Sequence, residues 1–160
     1  MTVRNNIAGW TLIEMLVAVF MVGVLAVAAV PKFVPFLEGL KLRTAATNVQ
    51  RALLAARTRA IADPNVHCGV VFVGSTKIII YPDSSGTPYV VNPLDTASKY
   101  LGTYTMPSNI VLTEVSVTNH CIVFRGDGSA KTDGTVTLSN RYNKSKTISV
   151  VATTGKIRVQ

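Results

Sequence analysis

Glu14 is the single charge in an otherwise apolar run from residue 10 to residue 30. A carboxylate at the centre of a bilayer costs at least about 2.5–3.5 kcal/mol, and somewhat less near one end of a span. A charge kept at that cost is expected to serve a partner; the bland alternative is a side chain that snorkels to the headgroups. His67-Cys68 and His120-Cys121 are two identical dipeptides on separate predicted strands. Imidazole and thiolate are a zinc ligand set, but neighbours on a strand point to opposite faces, so one dipeptide cannot readily aim both groups at one ion. The favoured reading pairs Cys68 with Cys121 in a disulfide, which would close a loop worth about 4 kcal/mol. Two buried thiols, or a metal site, remain as alternatives. Arg125-Gly126-Asp127 is an RGD triplet, read here as a glycine-built turn. Finally, Arg141, Lys144, Lys146, Lys156 and Arg158 fall in a C-terminal stretch without an acidic residue. In a strand Lys156 and Arg158 face the same way, about 7 Å apart, and such a row can follow a phosphate backbone or blunt an exposed sheet edge.

The elements that must position these residues can be read from periodicity. The apolar run would make a helix of roughly 30 Å, the thickness of a bilayer's hydrocarbon core. Pro31 and Pro35 follow and are expected to interrupt or kink it. Leu42, Ala46, Val49, Leu53, Ala56 and Ala60 then recur every three or four residues, an apolar stripe that predicts a second helical segment lying across a sheet. It stops at Asp63-Pro64-Asn65. From there the pattern turns to β, with strands predicted over 66–73, 77–81, 100–104, 110–117, 121–124, 135–138, 147–152 and 157–159. Gly74-Ser75-Thr76 reads as a hairpin loop, and residues 83–99 as a long loop of the kind that carries function. Short strands at this spacing predict antiparallel sheets.

Composition sets the outer bounds. A chain of 160 residues has room for one domain beyond the apolar helix, and the hydrophobic fraction of 48% is inflated by that helix. Net charge is +8, which suits anionic partners such as nucleic acid or lipid headgroups, or serves solubility alone. No hydrolase elbow, phosphate loop, dinucleotide fingerprint or H-E-x-x-H occurs, and both histidines adjoin cysteines, so neither an enzyme nor a cofactor is expected.

The segment Gly9-Trp10-Thr11-Leu12-Ile13-Glu14 ahead of the apolar run resembles the class III signal of type IV prepilins and type II secretion pseudopilins. The helix end around Leu53, Ala56, Arg57 and Ala60-Ile61, the turn Phe124-Arg125-Gly126-Asp127-Gly128-Ser129, and the closing Ser149-Val150-Val151 and Thr154-Gly155-Lys156-Ile157-Arg158-Val159 are similar to minor pseudopilins of the GspH/FimT type. The resemblance implies an α+β, pilin-like fold: a long N-terminal helix, its first half transmembrane, packed on a small antiparallel β-sandwich. It divides the chain into a leader at 1–9, a membrane or filament-core helix at 10–31, an amphipathic half at 32–63 and a periplasmic or extracellular β domain at 64–160. It implies cleavage after Gly9 by a prepilin peptidase, methylation of the new N-terminus at Trp10 (where the family usually has Phe), and pairing of Glu14 with a neighbouring subunit's amine during filament assembly. The partners it implies are the peptidase, other pilins or pseudopilins, and the inner membrane. Counting Lys and Arg beside the run would place Lys32, Lys41 and Arg43 in the cytoplasm, and the resemblance implies the opposite orientation. Gly155-Lys156-Ile157-Arg158 is similar to the Gly-Arg-x-Arg element of DNA-uptake minor pilins, with lysine in place of the first arginine. The expected function is therefore a structural subunit of a secretion pseudopilus or type IV pilus, with DNA capture through the basic C-terminal strand as the alternative.

Overall fold

The computed structural model describes residues 10–83, 101–117 and 120–160, and within them every side chain except those of 28–32 and 83. The chain divides into two compact units, Met1–Leu37 and Glu38–Gln160.

One helix, α1, covers Leu12–Ala62. It passes through Pro31 and Pro35 as a single element, so the expected interruption does not occur. A proline forgoes one backbone hydrogen bond and crowds the preceding turn at a cost of about 3 kcal/mol, which so long a helix absorbs without ending. At its start the Glu14 amide donates to Thr11 Oγ1 at 3.3 Å. Thr11 is thus the cap and Glu14 stands three residues on, the Thr-x-x-Glu arrangement of a capping box, with the acid at the positive end of the helix dipole. At the other end Arg59 lies in the last turn, and the Asp63 carboxylate accepts from the Asn65 amide at 3.3 Å to turn the chain away.

Eight strands follow in the second unit: β1 His67–Val73, β2 Lys77–Asp83, β3 Gly102–Thr105, β4 Ile110–Ser116, β5 Cys121–Phe124, β6 Gly134–Asn140, β7 Ser145–Val151 and β8 Lys156–Val159. They form two four-stranded sheets, ordered β3-β2-β1-β5 and β4-β6-β7-β8, antiparallel throughout. The predicted strands match these with small shifts at their ends. The 83–99 loop lies outside the described residues beyond Asp83 itself.

The core is shared by three layers. The predicted stripe Leu42, Ala46, Val49, Leu53, Ala56 and Ala60 is buried, and it meets Val70, Phe72, Ile78 and Phe124 of the first sheet and Leu138, Ile148 and Val150 of the second. Small alanines on the helix let its backbone approach the sheets closely, as the pattern required. The two sheets are built differently. β6 alternates buried and half-buried residues, the signature of one covered face, whereas β1 is buried from Cys68 to Phe72 and β5 throughout. On the side of the first sheet away from α1, Val71, Ile79, Tyr81, Cys121 and Val123 form a second buried cluster. Tyr81 fits there because its cross-strand partner is Gly69, where a Cβ would lie 2.6 Å from the tyrosine ring.

Candidate functional site

Gly9 lies outside the described residues. Trp10 is 70% exposed, and along the first part of α1 Leu12, Ile13, Leu16, Val19, Phe20 and Leu25 are exposed as well. One face of this helix gathers Leu12, Met15, Leu16, Val19 and Phe20 into an apolar groove. Among the described residues no helix is long and apolar enough to cross a membrane; the described side chains of the apolar run stop at Val27, short of its end at Val30. The sequence reading missed the cap at Thr11, although Thr11-Leu12-Ile13-Glu14 is a legible signal for one.

The predicted disulfide is not present: Cys68 and Cys121 are both buried, and no bond joins them. The register explains why. Cys68 pairs with Phe124, and Cys121 pairs with Val71, so the two cysteines sit on adjacent strands but three residues apart in register. An odd offset puts them on opposite faces of the sheet. Cys68 belongs to the core against α1 and donates to the Tyr81 carbonyl at 3.3 Å, while Cys121 Sγ meets the Tyr81 hydroxyl on the far side. Burial pushes the Cys68 thiol up to about 11, against the pull of Arg59 and of a backbone hydrogen bond at Gly69. Among the described residues no cluster of His, Cys, Asp and Glu is arranged to hold a metal ion.

The three sequence stretches that carried the resemblance in the second unit meet at one point. Arg57 on α1 donates through Nε to the Gly128 carbonyl at 2.9 Å and through a terminal nitrogen to the Thr154 carbonyl at 3.1 Å. The turn holding Gly128 is closed by Asp127, whose carboxylate accepts from the Ser129 amide at 2.8 Å; the Ser129 side chain beside it, this bond and the nearby Arg125 hold its carboxyl below the usual range. Ala130 then donates to the Ala152 carbonyl at 2.9 Å and Lys131 to the Val123 carbonyl at 2.8 Å, tying the turn to both sheets. Gly155, at φ 59°, has no room for a Cβ against the Gly128 carbonyl. Arg125-Gly126-Asp127 is therefore a turn, as expected, and part of a clasp that fastens α1 to both sheets.

The basic C-terminal residues do not form one row. Ile157 pairs with Val150, whose side chain is in the core, so Lys156 and Arg158 project to the opposite, solvent side of the second sheet, beside Val151 and Ser149. That side also carries the Thr137–Thr147 hydroxyl pair at 3.3 Å. Lys146 instead pairs with the buried Leu138 and shares the inward side, at the rim of the core. Arg141 and Lys144 lie in the β6–β7 hairpin, which Asn140 fixes by accepting from the Tyr142 amide at 3.0 Å and the Lys144 amide at 3.1 Å. Lys144, Ser145 and Lys146 line a groove together with Gly39, Leu42 and Arg43 of α1.

Residues 45–155 match the family described as type II transport protein GspH, and residues 4–30 match the prokaryotic N-terminal methylation motif. None of the curated proteins matches the chain closely enough to count as a relative. The fold is similar to the crystal structure of the type IV minor pilin FimU of Pseudomonas aeruginosa, with a TM-score of 0.57, 14% identity, and coverage of 78% of this chain and 92% of that one. It is also similar to the minor pseudopilin EpsH from the type 2 secretion system of Vibrio cholerae, with a TM-score of 0.54, 12% identity, and coverage of 75% of this chain and 96% of that one.

Proposed function

The chain belongs to the GspH family of type II transport proteins and is a minor pilin-type structural subunit, and on that premise we propose how it is processed and assembled. A prepilin peptidase cuts after Gly9 and methylates Trp10. The helix from Trp10 then anchors the chain in the inner membrane, single-pass, with the second unit on the periplasmic side, until it enters a secretion pseudopilus or type IV pilus. The observation that carries this reading is the apolar surface of Leu12, Ile13, Leu16, Val19 and Phe20, which no part of the described chain covers. Water does not tolerate so much contiguous apolar area on a solitary helix, so lipid or the helices of other subunits must take its place. Glu14 supplies the specific contact: near the helix start its carboxylate is positioned to meet a neighbour's N-terminal amine. Intact-mass measurement on protein from a host with the peptidase tests the processing step. The expected species begins at Trp10, and a mature chain starting elsewhere would remove the basis for this reading.

A second reading, capture of extracellular DNA, rests on Lys156 and Arg158 standing exposed on one side of an edge strand. It loses the support of Lys146, which lies on the other side of the sheet. DNA contact through the two remaining strand charges would give a log–log salt slope of roughly −2.

A further inference from the structure

The groove between the start of the second unit's helix and the β6–β7 hairpin is unexplained by a subunit that is only a filament brick. Its walls are Gly39, Leu42 and Arg43 on one side and Lys144, Ser145 and Lys146 on the other. Arg43 and Lys144 are exposed, and Lys146 is half-buried where it lines the groove. Gly39 offers no side chain, and a Cβ there would meet nothing within 4 Å, so the wall is open at that point. The nearby acid acts on Lys41 and Arg141. Glu38 is buried, bonded to Lys41 at 3.1 Å and to Asn109 at 3.2 Å. The hairpin tip adds Arg141, whose guanidinium lies 5.0 Å from the ring centre of the exposed Tyr142. The tip is held rigid by Asn140, so its cations are presented rather than trailing.

Three features select the ligand. Cations from two elements converge on one small groove, as a phosphate monoanion or diester requires. Leu40 is exposed beside the groove, and Tyr142 stands at the tip, giving apolar and aromatic surface next to the charges. Lysine, arginine and tyrosine side by side are the residues of a membrane–water interface. In the sequence, Gly39 follows soon after the apolar run ends at Val30. We propose that this groove binds the phosphate of an anionic phospholipid headgroup, so that the second unit rests on the membrane surface before the chain enters a filament. The proposal rests on the membrane reading above. A DNA strand would favour a longer row of charges, which the split of the C-terminal cations does not supply.

The test uses the full chain in a neutral detergent, with backbone amide shifts as the readout. The probes are short-chain phosphatidylglycerol, short-chain phosphatidylcholine, inorganic phosphate and a short DNA duplex. Saturable shifts of the Gly39, Arg43 and Ser145 amides with phosphatidylglycerol, and none with phosphatidylcholine, are expected. Lys144→Gln with Lys146→Gln should weaken that binding about 30-fold, taking about 1 kcal/mol for each charge. Lys156→Gln with Arg158→Gln should leave it unchanged. Arg43→Gln, on the opposite wall, guards against a hairpin that misfolds and should weaken binding about fivefold. Equal shifts with both lipids, or binding that survives all the groove variants, would overturn the proposal. Inorganic phosphate acting at the same concentrations would replace the lipid with a free-anion site, and DNA displacing the lipid from the same amides would replace it with nucleic acid. Should the chain prove soluble without detergent, the anchoring reading fails separately, and the titration still reports on the groove.

Discussion

The two parts of α1 obey opposite rules. Up to Leu37 its described large apolar side chains are exposed, while from Leu42 to Ala60 every member of its apolar stripe is covered by the two sheets. Their sequences differ in the same sense. The first part is apolar on all sides, and the second confines its apolar residues to one face. A helix that is hydrophobic all round is stable only where something other than water surrounds it, whereas a striped helix finds its partner within its own domain. One helix therefore serves two solvents.

The largest effect that would break this contrast is on stability. Leu53 is fully buried, and Leu53→Ala is expected to cost the second unit about 3–4 kcal/mol. Leu25→Ala, at a position 69% exposed, should leave its unfolding unchanged. Denaturant unfolding of the full chain in detergent checks both, and equal losses would mean that the first part also packs on the domain.

Arg57→Ala comes next. It removes two charged hydrogen bonds that fasten the striped part of the helix to the Gly128 and Thr154 turns, for an expected loss of about 2 kcal/mol. Arg51→Ala, on the exposed side of the same segment, is the control and should cost less than about 0.5 kcal/mol.

Cys68 gives a smaller effect, with a pH signature. Its folded value, pushed up to about 11, lies above the ordinary thiol value of 9.0, so the unfolded chain loses its proton first as pH rises. Stability from this group is fully present below about pH 9 and declines toward about pH 11. Unfolding of the parent and of Cys68→Ala should therefore converge across that window. Parallel curves would show that the thiol is not held neutral by the core.

How much of this was legible depended on whether the signal was local. The stripe from Leu42 to Ala60 and the order of the eight strands follow from periodicity, because each element's own pattern states which face is covered. The cysteines did not, since the face of Cys68 relative to Cys121 is set by the pairing of β1 with β5, a register no local pattern contains. The same holds for the basic tail: alternation correctly put Lys156 and Arg158 on one side, but only the pairing of Lys146 with Leu138 shows that it lies on the other. The Arg57 clasp was visible as three separate stretches, and their meeting required the fold. Pro31 and Pro35 do not end the helix, which runs on as one long element because it outlasts the hydrogen bonds they forgo.

The central claim is that the exposed part of α1 is an assembly surface on which the charge of Glu14 acts between subunits. The cap bond at Thr11 comes from the Glu14 backbone amide, so substitutions at this position can remove the charge and keep the cap. Glutamine keeps the polar shape of the side chain and removes the charge, while valine removes both. The direct measurement is the amount of each variant recovered in filaments sheared or purified from cells, relative to the amount in the membrane. The account predicts that Glu14→Gln and Glu14→Val both insert in the membrane and both fail to enter filaments. Glu14→Gln entering filaments as well as the parent would show that the charge of Glu14 plays no part in assembly, and would contradict the account.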